Sequence, residues 1–358
     1  MNVKTVNPKR ILVAPLDWGL GHATRMVPLI QALKARGHYL AIAADGRPFD
    51  FLKSRFPDTE IIRAEGYNIT YPENEHLLFH LAKSSYALYR AIQKEEKIAN
   101  EIAARYKADI IISDNRLNFR NDNTRNIYIT HQLNINAGLM SSAASKLHSL
   151  YYTKFDEVWI PDNEGEVNLS GELGHIQNIK MPVYYTGIQS RFSSCNQTST
   201  VVHGKLVVLI SGPEPQRTIF EEQVLSELHR TGISAFVLRG MPGSIDSREI
   251  SGNVELISHL ADQELFELID GADVIISRSG YSTLSDLAKM NKKIIVVPTP
   301  GQTEQEYLAE RFAQKGMLVT ARQQDFNLEE CIERTKLIQP FAIPVADQLI
   351  AVIDRLEK

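Results

Sequence analysis

Two glycines, Gly19 and Gly21, stand just before His22, with Arg25 three residues further on. The apolar run Ile11–Leu16 leads into them. Bare backbone N–H groups at a strand-to-helix turn are a ready place for an anion. A histidine at the mouth of such a turn has a pKa suited to taking a proton from a hydroxyl near neutral pH. The plain alternative is a helix-start histidine that hydrogen-bonds its own loop. Asp114, after the apolar run Ile110–Ser113, is placed to orient either an acceptor molecule or His22.

A dinucleotide reading is also open, since Gly19-x-Gly21 resembles the start of GxGxxG and Asp45 closes the next strand. Thr24 occupies the third glycine position, however, and Asp17 and Trp18 lengthen the turn.

Three further loops carry candidate ligands. Ser279-Gly280-Tyr281-Ser282-Thr283 follows a strand beginning at Ala272. Its hydroxyls and amides suit a diphosphate, and Asp286 could accept hydrogen bonds from two ribose hydroxyls. Thr283-x-x-Asp286 also has capping-box spacing, so plain helix capping explains it equally. After the next strand, Gln305 and Glu306 could pair with sugar hydroxyls. Ser211 and Gly212 open a loop that ends at Arg217, and Thr218-x-x-Glu221 reads as the capping box of the next helix. Pro213 and Pro215 each remove a donor there, so an ordinary connection remains open beside a phosphate loop. No D-x-D and no Cys/His ligand cluster occurs. No metal and no cofactor is therefore expected, and arginines with helix N-termini must meet any phosphate charge.

These loops need a scaffold of strands alternating with helices. Strands are expected at Ile11–Leu16, Tyr39–Ala44, Ile110–Ser113, Ile127–Thr130, Glu157–Pro161, Leu206–Ile210, Ala235–Leu238, Val254–Ile257 and in Ala272–Gly316. Helices are expected at Met26–Gly37, Ile219–Arg230, Asp262–Asp270 and Val345–Leu356. Such alternation means α/β units with parallel sheets covered on both faces. The polar, aperiodic stretch Thr186–Lys205 serves as the linker, giving domains at 1–186 and 187–340 with a C-terminal helix at 341–358 that could pack back on the first.

A chain of 358 residues with 43% hydrophobic and 23% charged residues fits two soluble domains. A net charge of −4 gives no bias toward nucleic acid, and two distant cysteines give neither a disulfide framework nor a zinc site. The Ile11–Leu16 run is too short for a signal-peptide core, so a cytoplasmic location is expected. The segment His76–Tyr106 mixes aromatic and basic residues and could touch a membrane surface, which leaves a peripheral place on the membrane's inner face open. Glu95, Glu96 and Glu101 favour an ordinary solvated helix face instead.

Together the motifs resemble the family 28 glycosyltransferases, the MurG-like UDP-sugar enzymes of two-domain GT-B fold. SRSGYSTLSDLA is similar to that family's SRSG-x-x-T-x-x-E, with Asp286 in place of a ribose-binding glutamate, and Gln305-Glu306 lies at its Gln-Gln pair. Thr130-His131-Gln132-Leu133-Asn134 looks like its HEQN segment, and Thr186-Gly187-Ile188-Gln189-Ser190-Arg191 like TGNPVR, whose arginine faces the diphosphate. The resemblance implies two doubly wound Rossmann-like domains facing across a cleft. It implies a donor set of Arg191, Ser211, Gly212, Ile257, His259, Ser279, Gly280, Tyr281, Ser282, Thr283, Asp286, Gln305 and Glu306. The expected acceptor set is Gly19, Gly21, Arg25, His131 and Gln132, with His22 catalytic as the base and Asp114, from its place after Ile110–Ser113, catalytic in orienting the acceptor or His22. The implied activity is inverting, metal-independent transfer of a hexose or N-acetylhexosamine from a UDP-sugar to a lipid-linked or glycan acceptor. GLGHATR also resembles the GxGHxxR opening of sugar-nucleotide hydrolases, and a non-catalytic nucleotide-sugar sensor is the third reading.

Overall fold

The structure, a computed structural model, describes residues 7–67, 85–176, 179–196, 205–241 and 248–357. The start of the expected His76–Tyr106 helix and residues 197–204 of the expected linker lie outside the described residues.

The chain forms two compact units. The first takes the described residues within Met1–Ile69, Leu81–Ser190 and Val345–Lys358, and the second takes those of Arg191–Pro344. In the first, β1 (Arg10–Pro15), α1 (Gly21–Ala35), β2 (Tyr39–Ala44), α2 (Gly46–Arg55), β3 (Glu60–Arg63), α3 (Ser85–Tyr106), β4 (Ile110–Asp114), β5 (Arg125–Ile129), α4 (Ser141–Tyr152), β6 (Glu157–Ile160) and β7 (Val183–Tyr185) follow in order. The sheet runs β3-β2-β1-β4-β5-β6-β7 and is parallel throughout. Both of its faces are covered, which is why its strands read as unbroken apolar runs rather than as alternation. Ile11 and Val13 pack with α1 residues Met26 and Leu33, while Leu12 and Ala14 pack with α3 residues Ala99 and Ala103.

The chain winds outward from β1 to β3, then crosses back to β4 beside β1. That reversal opens a crevice at the carboxyl ends of β1 and β4, the usual ligand position in such sheets. Register sets Pro15 opposite Asp114. The β1–α1 loop and the last residue of β4 are thereby neighbours.

The second unit repeats the plan: β8 (Lys205–Leu209), α5 (Gln216–Thr231), β9 (Ala235–Leu238), β10 (Arg248–Ser251), β11 (Val254–Ile257), α6 (Asp262–Asp270), β12 (Ala272–Ser277), α7 (Tyr281–Leu287), β13 (Lys293–Val296), α8 (Thr303–Gln314), β14 (Val319–Thr320) and α9 (Leu328–Thr335). The sheet order is β10-β11-β9-β8-β12-β13-β14, with only β10 antiparallel. Its reversal lies between β8 and β12. The loops after those strands carry Ser211-Gly212 and Ser279-Gly280.

Several expectations need correction. The C-terminal helix α10 spans only Leu349–Ile353, and Leu349, Val352 and Ile353 join the first unit's core against α1 and β7. Thr186 to Phe192 is not a solvated tether. Thr186, Ile188, Gln189 and Ser190 are buried, and Gly187 (φ +75°) lies so close to the Ala346 carbonyl that a Cβ would overlap it. Its lack of periodicity reflects irregular backbone fastened by hydrogen bonds, such as Gly187 N–H to the Asp162 carbonyl at 3.0 Å. Glu95 is buried rather than solvated, paired through Oε1 with Arg116 Nε at 2.7 Å and accepting from the Tyr67 hydroxyl at 2.7 Å.

Candidate active site

The first cluster is built at the β1/β4 reversal. Gly19 takes a left-handed φ of +72°, turning the chain so that α1 begins at Gly21. His22 and Arg25 then lie in its first turn, three residues apart and on one face. Asp114 has no exposed surface. Its Oδ2 lies 3.0 Å from His22 Nδ1 and accepts from Arg25 Nε at 3.0 Å, while Oδ1 accepts from Arg25 Nη2. Arg25 Nη2 also lies 2.8 Å from His22 Nδ1, and Nη1 lies 2.6 Å from His131 Nδ1. An arginine can only donate, so His131 Nδ1 accepts and its proton sits on Nε2. Gln132 enters the adjoining turn through its backbone, donating N–H to Thr130 Oγ1 at 3.0 Å.

The electrostatics follow from burial. Withdrawal from water and then the Arg25 guanidinium hold the His22 pKa below its ordinary value, against the opposing pull of Asp114. Burial alone would raise Asp114, but Arg25 and His22 outweigh it and hold the carboxyl below its usual range. The cluster is therefore an ionised Asp114 locked to Arg25, with a neutral imidazole whose side chain stays 13% exposed.

The second cluster lies in the other unit. Asp286 does not cap α7, whose N-cap is Gly280 without a side-chain bond. It is buried at the far end of that short helix, accepting the Arg191 backbone N–H at 3.1 Å and forming an ion pair with Arg191 Nε at 2.9 Å. The expected ribose carboxylate and the expected diphosphate arginine hold each other. Ser279 Oγ donates to the Gln305 carbonyl at 2.7 Å, which commits its proton internally. Gln305 Oε1 accepts from Thr299 N–H at 2.9 Å and Glu306 Oε1 from Gly301 N–H at 3.2 Å, so both side chains brace their own loop. Tyr281 is buried, while Ser282, Thr283 and His259 are partly exposed; Ile257 is buried and its carbonyl accepts from Arg239 N–H at 2.8 Å.

The Ser211-Gly212 loop also differs from expectation. Helix α5 starts at Gln216, so Thr218 is inside it and cannot cap it. Glu214 performs the capping instead, accepting from Thr218 N–H at 3.2 Å and Oγ1 at 2.8 Å. Arg217 is taken up by Glu214 and Glu221, both at 2.6 Å, and by the Arg239 carbonyl. Its Nη2 donates to Thr218 Oγ1 at 3.2 Å, so each nitrogen of the guanidinium already has a partner within the loop and helix.

Comparison with known proteins now bears on both clusters. Residues 250–343 match the glycosyltransferase family 28 C-terminal domain, and residues 9–123 match glycosyl transferase family 1. Each unit thus carries a stretch that matches a glycosyltransferase family, and the chain is a glycosyltransferase. A Methanosarcina mazei protein described as an uncharacterized glycosyltransferase is 23% identical over 334 residues, covering 86% of this chain and 84% of its own. A Desulforamulus reducens UDP-N-acetylglucosamine–N-acetylmuramyl-(pentapeptide) pyrophosphoryl-undecaprenol N-acetylglucosamine transferase is 23% identical over 58% of this chain. Among solved structures, the Streptomyces nogalater glycosyltransferase SnogD superposes with a TM-score of 0.63 at 14% identity, covering 98% of this chain and 100% of its own. The fold is that of the GT-B glycosyltransferases.

The matched segments divide the glycosyltransferase clusters usefully. His22, Arg25 and Asp114 fall inside residues 9–123, and Arg278 to Asp286 with Gln305 and Glu306 inside 250–343. His131, Gln132, Arg191, Ser211 and Gly212 fall outside both. Arg278 received no role from the sequence, although an arginine closing the apolar strand β12 is a visible sign of a buried cation.

Proposed function

We propose that this glycosyltransferase moves a hexose or N-acetylhexosamine from a UDP-sugar to a hydroxyl of a lipid-linked or glycan acceptor, with inversion and without a metal. The observation that carries the chemistry is the His22–Asp114–Arg25 cluster: a buried carboxylate behind a neutral, partly exposed imidazole. With Arg25 Nη2 committing its proton to Asp114 Oδ1, His22 carries its own proton on Nδ1, donates it to Asp114 Oδ2 and keeps a lone pair on Nε2 for the acceptor hydroxyl. That oxygen attacks the anomeric carbon opposite the leaving group and loses its proton to His22. The bond from the anomeric carbon to UDP breaks, and its electron pair leaves on the β-phosphate oxygen. Arg191, held by Asp286, meets the charge that develops there. Gly280 leaves room for the donor: its φ of −66° requires no glycine, and a Cβ there would meet nothing within 4 Å.

The test is to incubate the protein with UDP-sugars, with and without a lipid or glycan extract. Acceptor-dependent consumption of one donor is expected. Stoichiometric release of free sugar at the same rate without acceptor would overturn transfer in favour of hydrolysis.

A lipid-linked acceptor draws support from α4 and the residue before it. Met140, Leu147 and Leu150 are 63%, 58% and 59% exposed, Lys146 and Lys154 are exposed beside them, and no acidic residue occurs from Asn123 to Phe155. Exposed leucines bordered by lysines fit an anionic bilayer surface. Among the described residues, no helix is long and apolar enough to cross a membrane. Co-sedimentation with vesicles containing phosphatidylglycerol is expected to fall roughly tenfold or more in the L147S/L150S double variant. Equal sedimentation of variant and parent would remove this support.

A further inference from the structure

We infer that Arg278 supplies positive charge to the donor's diphosphate in the second unit, beyond that of Arg191, which Asp286 already offsets, a role resting on the donor reading above. Its side chain is 1% exposed. Nη1 donates to the carbonyls of Val297 at 3.0 Å and Pro298 at 3.2 Å, and Nη2 to the Gln216 carbonyl at 3.0 Å and Gln323 Oε1 at 2.7 Å. The guanidinium lies 4.1 Å from the centre of the Phe220 ring. Every one of these partners is neutral.

Other buried arginines are treated differently. Arg25 holds Asp114, Arg116 holds Glu95, and Arg217 holds Glu221. Among the described residues Arg278 has no carboxylate in ion-pair range, and its buried Nε has no hydrogen-bond partner. Burial pulls its pKa down to about 9, which still leaves it protonated at neutral pH. Carbonyl dipoles soften the cost of a buried cation without cancelling its charge.

Its place makes that charge useful. Arg278 directly precedes Ser279-Gly280. Through Val297 and Pro298 it holds the loop that leads to Gln305, and through Gln216 it holds the start of α5, just past Ser211-Gly212. Three candidate donor loops thus converge on one uncompensated cation at the β8/β12 reversal. A diphosphate bound there provides the missing negative charge.

Calorimetric titration of the full chain with uridine, UMP and UDP tests this, because a field effect scales with ligand charge and a loop-packing effect does not. In R278M, UDP affinity is expected to fall roughly tenfold, UMP affinity less, and uridine affinity not at all. R278K keeps the charge and is expected to stay within about threefold of the parent for UDP. Equal losses for all three ligands in R278M, or none, would overturn the inference. Should R278M fail to fold, a folded R278K that loses UDP tenfold while binding uridine normally overturns it as well. A parent protein that binds none of the three would overturn the donor reading itself, and this inference with it.

Discussion

His22→Ala is expected to lower kcat by roughly three orders of magnitude, the range typical of a lost general base. UDP affinity is expected to stay within about twofold of the parent, since His22 belongs to a different unit from the residues assigned to the donor. The pH dependence gives a second reading of the same variant. His22 acts only when neutral, and burial with Arg25 holds its pKa below the ordinary 6.5. Activity in the parent should therefore be flat through pH 7 and fall only as pH drops below that value. The residual rate of His22→Ala should lack this acid limb. Turnover within tenfold of the parent, or an unchanged acid limb, would remove His22 from the base role.

The parts legible in the sequence were those whose cause is local. Strands β2 and β9 begin and end where their apolar runs put them, because a strand buried on both faces needs nothing but an unbroken apolar segment; β11 and helix α6 also keep the expected bounds. Helix α1 starts five residues before the periodicity does. Its first turn directs His22 and Arg25 toward Asp114, so the residues that carry the chemistry are the ones that break the apolar pattern. Thr218-x-x-Glu221 was misread because the helix starts two residues earlier, at Gln216, and Glu214 takes the Thr218 N–H and hydroxyl. Thr283-x-x-Asp286 also has the right spacing, but Asp286 is drawn to Arg191, 95 positions earlier. Spacing reports only short-range partners, and a charged partner brought by the fold outcompetes them. The short strands β10 and β14 left no run long enough to read.

Asp114→Asn is expected to cost the first unit about 3–5 kcal/mol, because it strands the buried Arg25 guanidinium without its counter-charge. The chain's two tryptophans, Trp18 and Trp159, both lie in that unit, so urea unfolding followed by tryptophan fluorescence reports on it alone. R25M/D114N removes the stranded charge and should recover much of the stability while transfer stays lost. The pH dependence has a definite sign. The folded-state pKa of Asp114 is depressed, so its contribution is present in full above the ordinary carboxylate value and is lost as pH falls through the folded one. The neutral His22 adds in the same direction, since the unfolded chain gains a proton below about pH 6.5 that the folded cluster resists. Stability of the parent should thus begin to decline with acid near that pH and decline further below the carboxylate range. In Asp114→Asn the second decline should be shallower. The His22 pKa should move lower still, since Asp114 is the group that raises it. An Asp114→Asn variant within about 1 kcal/mol of the parent would mean that Arg25 finds another partner, and the claim that Asp114 holds the cluster would fall with it.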